Sequence, residues 1–152
     1  PSMPGVHFRI IGTGPDETML RILATRLRVQ DRVTFVGFLQ NAELPEELHR
    51  ADIFIRPSRS EGFGISFIEA FAAGIPVVAT QEGGIADFLT PETGWSVHKD
   101  SPQEIVAAIK DIVTNRDLVL KVTATAKALV FEKYDWDLIT RDMETRVFKV
   151  LL

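Results

Sequence analysis

The sequence predicts an α/β fold: a parallel sheet of about five strands, helices on both faces, and a helical carboxyl-terminal segment. Two observations lead to it. Short apolar runs rich in branched residues alternate with helix-length periodic stretches, the pattern of parallel strands buried on both faces. From Ser101 onward the alternation stops and only helical periodicity remains.

The elements follow in chain order. Val6 to Ile11 reads as the first strand, and Gly12-Thr13-Gly14 as a tight turn into a helix. That helix carries Met19, Leu20, Leu23 and Leu27 along one face, behind acidic Asp16 and Glu17 in its opening turn. Val33 to Phe38 is the second strand, Glu46 to Arg50 a short helix, and Ile53 to Arg56 the third strand. Ile65 to Ala73 is a nearly uncharged helix, stopped by Gly74 and Pro76. Val77 to Ala79 and the weaker Trp95 to Val97 complete the strands. Ser101-Pro102-Gln103-Glu104 offers a capping box with proline at the first helical position, ahead of Ile105, Ala108, Ile109 and Ile112. Asn115 to Asp117 break this helix, a second covers about Leu118 to Glu132, and Asp135 caps a last one from Trp136.

Composition narrows the function. A chain of 152 residues, 45% hydrophobic and 25% charged, predicts a single globular core. Folding at this length buries roughly 70% of the unfolded surface, so stability needs no disulfide or metal. The absence of cysteine excludes zinc-ribbon, iron-sulfur and thiol-nucleophile chemistry. With 17 basic and 21 acidic residues and no basic block, nucleic acid is not expected as a partner. The longest weakly charged stretch, Gly62 to Gln81, is interrupted by Gly64, Gly74 and Pro76, so no membrane span and no membrane contact are predicted from this segment. The first residues carry no signal-peptide pattern, and a cytoplasmic location, membrane-peripheral at most, is the expectation.

Most motif readings are negative. The turn at Gly12 and Gly14 fails the dinucleotide fingerprint, because the third glycine would fall at Glu17. His7, His49 and His98 share no metal-ligand spacing, and Ser58 and Ser66 lack the nucleophile-elbow pattern. No metal site is expected. Asp31 and Asp52 do not form the acidic cluster of a phospho-receiver.

One segment is informative. Arg56-Pro57-Ser58-Arg59-Ser60-Glu61-Gly62-Phe63-Gly64-Ile65-Ser66-Phe67-Ile68-Glu69 is a strand end, a glycine-bearing loop and a helix start. Ligands of open α/β sheets bind beyond the carboxyl ends of strands, where this loop lies. Gly62 and Gly64 permit close approach and unusual dihedrals. The amides of Gly64, Ile65 and Ser66 would open the helix with its positive dipole end, a place for a phosphate. Glu69 is a carboxylate among Phe67, Ile68, Ala70, Phe71, Ala72 and Ala73. It requires solvent or good donors, which a ribose diol, an exposed stripe or a nearby backbone amide could each supply. Glu61 alone reads equally as an ordinary surface acid.

The chain resembles a known family through Pro57-Ser58, Glu61-Gly62-Phe63-Gly64, Glu69-Ala70, Ala73-Gly74-Ile75-Pro76-Val77-Val78-Ala79 and Gly83-Gly84. These look like the carboxyl-terminal domain of retaining glycosyltransferase family 4, also called glycosyl transferases group 1, of GT-B fold with a Rossmann-like sheet. Glu61 and Glu69 have the family spacing, with seven residues between them. The likeness runs from Ile10-Ile11-Gly12-Thr13-Gly14-Pro15 to Trp136, nearly the whole chain. It implies a nucleotide-sugar donor as the partner, with no cofactor and no metal. By the same resemblance Glu69 would hold the ribose hydroxyls, and Glu61, as the catalytic candidate, the hydroxyls of the transferred sugar. Gly62, Phe63, Gly64, Ile65 and Ser66 would border the sugar and diphosphate, Leu39 and Asn41 the nucleobase. Gly83 and Gly84 would form a turn before Asp87, where the family commonly has Glu.

The resemblance also implies what this segment lacks. Family members carry an Arg and a Lys on the first strand-helix unit of this domain, which neutralise the departing diphosphate, and an amino-terminal domain that holds the acceptor. The segment reads as beginning at the second strand, and removing the first from the doubly wound order leaves 2-1-3-4-5, with Val6 to Ile11 beside Ile53 to Ile55. The expectation is the donor-binding half of a hexosyltransferase acting on a sugar or lipid acceptor, inactive alone. The alternatives are a non-catalytic nucleotide-binding or interaction module of the same fold and, less favoured, an unrelated flavodoxin-like domain.

Overall fold

The computed structural model describes Met3 and residues 5–149. The chain divides into two compact units, residues 1–44 and 45–152.

In the first unit, β1 (Phe8–Ile11) pairs in parallel with β2 (Val33–Gly37), Phe8 opposite Val33, and the register slips between Ile10 and Ile11. The Gly12 amide donates to the Gly37 carbonyl at 2.7 Å, so the two strand ends are tied where the chain turns toward α1 (Glu17–Arg26). The acidic opening turn is used locally, since Glu17 accepts from Arg21 at 2.7 Å and the Arg21 guanidinium lies 4.2 Å over the Phe35 ring. The α1 periodicity holds, yet Met19, Leu20, Leu23 and Leu27 are exposed and only Ala24 is buried.

The second unit opens with α2 (Leu44–His49), whose first residue is the last of the first unit. Three parallel strands follow in the order β3-β4-β5: β3 (Phe54–Arg56), β4 (Val77–Ala79) and β5 (Trp95–Ser96). Phe54 lies opposite Val77 and Val78 opposite Trp95. β4 is central, and all three of its residues are buried. Between β3 and β4 runs α3 (Ile65–Ala73), which starts and stops at glycines, Gly64 and Gly74, both left-handed. It buries Phe67, Ala70 and Phe71 and packs on α5 (Arg116–Lys133). Phe67, Phe71 and Phe88 form the aromatic centre of the core, with Phe71 and Phe88 edge to face at 5.9 Å. Each such contact adds about 0.5–1.5 kcal/mol beyond area burial. The other side of β4 meets a second apolar group, in which Val78 and Val97 pack with Ala108 and Ile112 of α4 (Pro102–Thr114).

Two expectations are corrected. The single sheet in the order 2-1-3-4-5 is instead two sheets, β1-β2 and β3-β4-β5. Each sheet closes within its own unit, β1 on β2 through Phe8 and Val33, and β3 on β4 through Phe54 and Val77. The capping box at Ser101 does not form either. Its side chain accepts no helix amide, and the Glu104 carboxylate takes the His98 main-chain N–H at 2.7 Å. Bonding to that amide, then to the His98 ring, holds the Glu104 carboxyl below its ordinary range.

Asp135 does cap α6 (Trp136–Met143), accepting from the amides of Asp137 at 2.9 Å and Leu138 at 3.3 Å. A π-helical turn, Glu144–Phe148, continues it. Asp135→Ala should cost about 1 kcal/mol, read as a lower urea midpoint with an unchanged slope.

Candidate functional site

The loop between β3 and α3 is fixed by main-chain contacts. The Thr80 hydroxyl, at the end of β4 and buried, donates to the Ser58 carbonyl at 2.5 Å. The Gly84 amide donates to the Gly62 carbonyl at 2.9 Å. Gly83, which opens the 3-10 turn Gly83–Asp87, sits so close that a β-carbon there would overlap the Glu61 carbonyl oxygen, and its φ is +57°. The glycine pair is thus the seat of the loop, a closer role than the simple turn expected.

At the α3 entrance Gly64 has φ +79°, and a β-carbon there would lie 2.7 Å from the Phe67 ring. Gly62 differs: a β-carbon would meet nothing within 4 Å and its φ is not positive, so the fold does not require glycine there. Among the described residues no acceptor is present for the amides of Gly64, Ile65 and Ser66, whereas the Phe67 amide bonds the Gly64 carbonyl at 3.0 Å. Three donors and the positive end of a nine-residue helix therefore point out of the same loop.

Glu69 follows Ile65 by four residues and Ser66 by three, which places it one turn along the same face of α3, away from Phe67, Ala70 and Phe71. It is partly exposed, and among the described residues its carboxylate has no hydrogen-bond or ion-pair partner. A backbone amide therefore does not satisfy it.

Glu61 is held by several groups. Its side chain is only 14% exposed. Oε2 forms an ion pair with Arg56 Nη2 at 3.0 Å and accepts from the Ser58 hydroxyl at 3.2 Å, while among the described residues Oε1 takes only the Gly62 amide, at 3.3 Å. Arg56 also donates through Nη1 to the Ser66 hydroxyl at 2.7 Å and lies 5.7 Å over the Phe67 ring. Phe63 is half exposed, with its ring 5.6 Å from Tyr134 and 6.3 Å from Phe88.

The second unit thus brings together Glu61, Gly62, Phe63, Gly64, Ile65, Ser66 and Glu69. Leu39 and Asn41 lie in the first unit, in the segment after β2, where Leu39 is half-buried and Asn41 exposed. Sequence reasoning assigned no role to Arg56, Ser58 or Thr80 in holding Glu61 and the loop. The one available signal was a charged residue ending an otherwise apolar strand, Ile53-Phe54-Ile55-Arg56. The histidines are engaged locally, His7 with Thr34, His49 with the Pro45 carbonyl and His98 with Glu104. Among the described residues no group of three or more His, Asp or Glu could hold a metal ion, and no helix is long and apolar enough to cross a membrane.

A family model described as glycosyl transferases group 1 matches residues 2–129. A GDP-mannose-dependent alpha-(1-6)-phosphatidylinositol monomannoside mannosyltransferase of Mycobacterium tuberculosis is 35% identical over 141 residues, covering 88% of this chain and 37% of the relative. The chain therefore spans little more than a third of that relative's length. Among solved structures, HepE of Anabaena in complex with UDP-glucose superposes with a TM-score of 0.88 at 23% identity, over 97% of this chain and 42% of HepE. The C-terminal domain of LpcC, a glycosyl transferase group 1 family protein of Francisella tularensis, does so with a TM-score of 0.74 at 22% identity, over 89% of both chains.

Gly83→Ala should destabilise the chain by about 1–3 kcal/mol in urea unfolding, the cost of a strained left-handed residue compounded by the overlap. A second outcome concerns pH. Burial, then the nearby Asp87 charge, push the Tyr134 hydroxyl above its ordinary value. The unfolded tyrosine ionises first, so this contribution is intact below pH about 10 and declines as pH rises through the folded value. Tyr134→Phe should lack that alkaline component, seen as a flatter urea midpoint between pH 9 and 11.

Proposed function

The chain belongs to the glycosyl transferases group 1 family and corresponds to the carboxyl-terminal domain of a GT-B glycosyltransferase, and on that premise we propose that it binds the nucleotide-sugar donor of a retaining, metal-independent hexosyltransferase. The observation that carries this reading is Glu69. Among the described residues its carboxylate has no partner, and it lies one helical turn from three amides that have no acceptor. An unpartnered carboxylate and free N–H groups on one face fit a ligand with hydroxyl donors at one end and an anion at the other, as a nucleoside diphosphate has.

In this proposal Glu69 accepts hydrogen bonds from both ribose hydroxyls. The amides of Gly64, Ile65 and Ser66 receive the diphosphate, with the helix dipole meeting charge that a metal would otherwise neutralise. Glu61 orients the transferred sugar and stabilises positive charge that develops on it, instead of attacking as the nucleophile of a retaining glycosidase does. The mannosyltransferase relative is GDP-mannose-dependent and HepE is complexed with UDP-glucose, which supports a hexosyl donor of either base and leaves the acceptor, a sugar or a lipid, to the rest of a longer chain. A donor site without an acceptor cleft gives no proximity between the reacting groups, so the 152 residues alone are proposed to be inactive.

Titration of the chain with UDP, GDP and ADP tests the reading. One diphosphate should bind in about the millimolar range, equivalent to about 4 kcal/mol, and Glu69→Ala should weaken it tenfold or more, the loss expected for hydrogen bonds to a charged acceptor. Equal binding by wild type and Glu69→Ala removes the ribose role.

A further inference from the structure

We propose that Arg56 is a positioning residue for the donor sugar, a reading that rests on the donor site described above. The guanidinium bridges the two halves of that site, with Nη2 on Glu61 Oε2 at 3.0 Å and Nη1 on the Ser66 hydroxyl at 2.7 Å. Each contact constrains what the partner can still do.

A carboxylate oxygen offers about two acceptor directions. Oε2 of Glu61 carries the ion pair with Arg56 and accepts a hydrogen bond from the Ser58 hydroxyl at 3.2 Å. Oε1 has one long bond, from the Gly62 amide at 3.3 Å. Arg56 and Ser58 therefore hold the carboxylate by one oxygen and leave the other, in a side chain only 14% exposed, as the acceptor for a sugar hydroxyl. At Ser66 the polarity is equally defined. Guanidinium groups only donate, so the Ser66 oxygen is the acceptor from Arg56 and its own proton is directed elsewhere. Ser66 is the second residue of α3, beside the open amides, and a diphosphate oxygen there would receive that proton. One side chain thus presents an acceptor to the hydroxyl-rich end of a nucleotide sugar and a donor to its anionic end. The planar fork is what allows two partners at once, and a lysine ammonium cannot reproduce it.

The test measures binding of UDP and UDP-glucose, and of GDP and GDP-mannose, to the 152-residue chain by amide chemical-shift titration. The variants are wild type, Arg56→Met, Arg56→Lys and Glu69→Ala. For the base pair that binds wild type, Arg56→Met should raise the Kd of the sugar nucleotide about tenfold and that of the nucleoside diphosphate by less than about threefold. Arg56→Lys should not restore the difference. A sugar-to-diphosphate affinity ratio unchanged in Arg56→Met, or rescue by lysine, overturns the proposal. If that happens while Glu69→Ala still weakens the diphosphate, the donor site stands and only this inference falls. If wild type binds none of the four ligands, both fall. A ligand-free readout stands beside these: the Arg56 Nη protons of wild type should give separate guanidinium resonances that merge in Ser66→Ala. Freely averaged Arg56 resonances in wild type overturn the bridge even where Arg56→Met fails to fold.

Discussion

The seating of one loop's main chain on a glycine pair is the constraint from which the rest of the site follows. Gly84 bonds the Gly62 carbonyl, Gly83 leaves room for the Glu61 carbonyl, and Thr80 bonds the Ser58 carbonyl. All three anchors come from the end of β4 or just beyond it. β4 is the buried central strand of its sheet, so its position is set by packing on both sides. The loop inherits that rigidity. Its side chains then act from defined origins: Glu61 inward toward Arg56 and Ser58, Phe63 toward Tyr134 and Phe88, and Gly64 into the turn that starts α3.

The chemistry divides between groups that are satisfied and groups that are not. Glu61 is an acid with donors already in place, while Glu69, eight residues later, has none among the described residues. The two carboxylates share a spacing and differ in environment. A carboxylate pinned at one oxygen suits orientation of a ligand. One left unpartnered on a largely apolar helix is stabilised when a ligand supplies the donors. The open amides of α3 complete the set, because each lacks a partner for the same reason, that a helix cannot satisfy its own first turn.

Much of this was legible in the residues. Ile65–Ala73 and Val77–Ala79 appear with the predicted bounds, because Gly64 and Gly74 bracket the first, Pro76 precedes the second, and their apolar content leaves little choice. Glu69 was legible as a chemical oddity, a charge where the helix is otherwise uncharged. What was not legible depended on distant contacts. Thr80 reaches the loop across 22 residues, Arg56 and Ser58 meet Glu61 only through the way the loop turns, and at Ser101 no cap forms while Glu104 takes the His98 amide. Predicting one sheet from five strands assumed that β1 pairs on both edges, whereas the hydrogen bonds group the strands as β1-β2 and β3-β4-β5. The helical stripe of α1 shows the same limit, since periodicity identifies an apolar face without revealing whether anything covers it.

Two of the loop's three anchors are glycine backbone, and Thr80 supplies the third through its hydroxyl. Arg59 and Ser60, both exposed, ride on this seat, whereas Phe63 is itself packed against Tyr134 and Phe88. If the loop borders a donor as proposed, substitution at Arg59 or Ser60 would alter what it meets while the main chain that carries Glu61 keeps its course, so selectivity could drift one residue at a time.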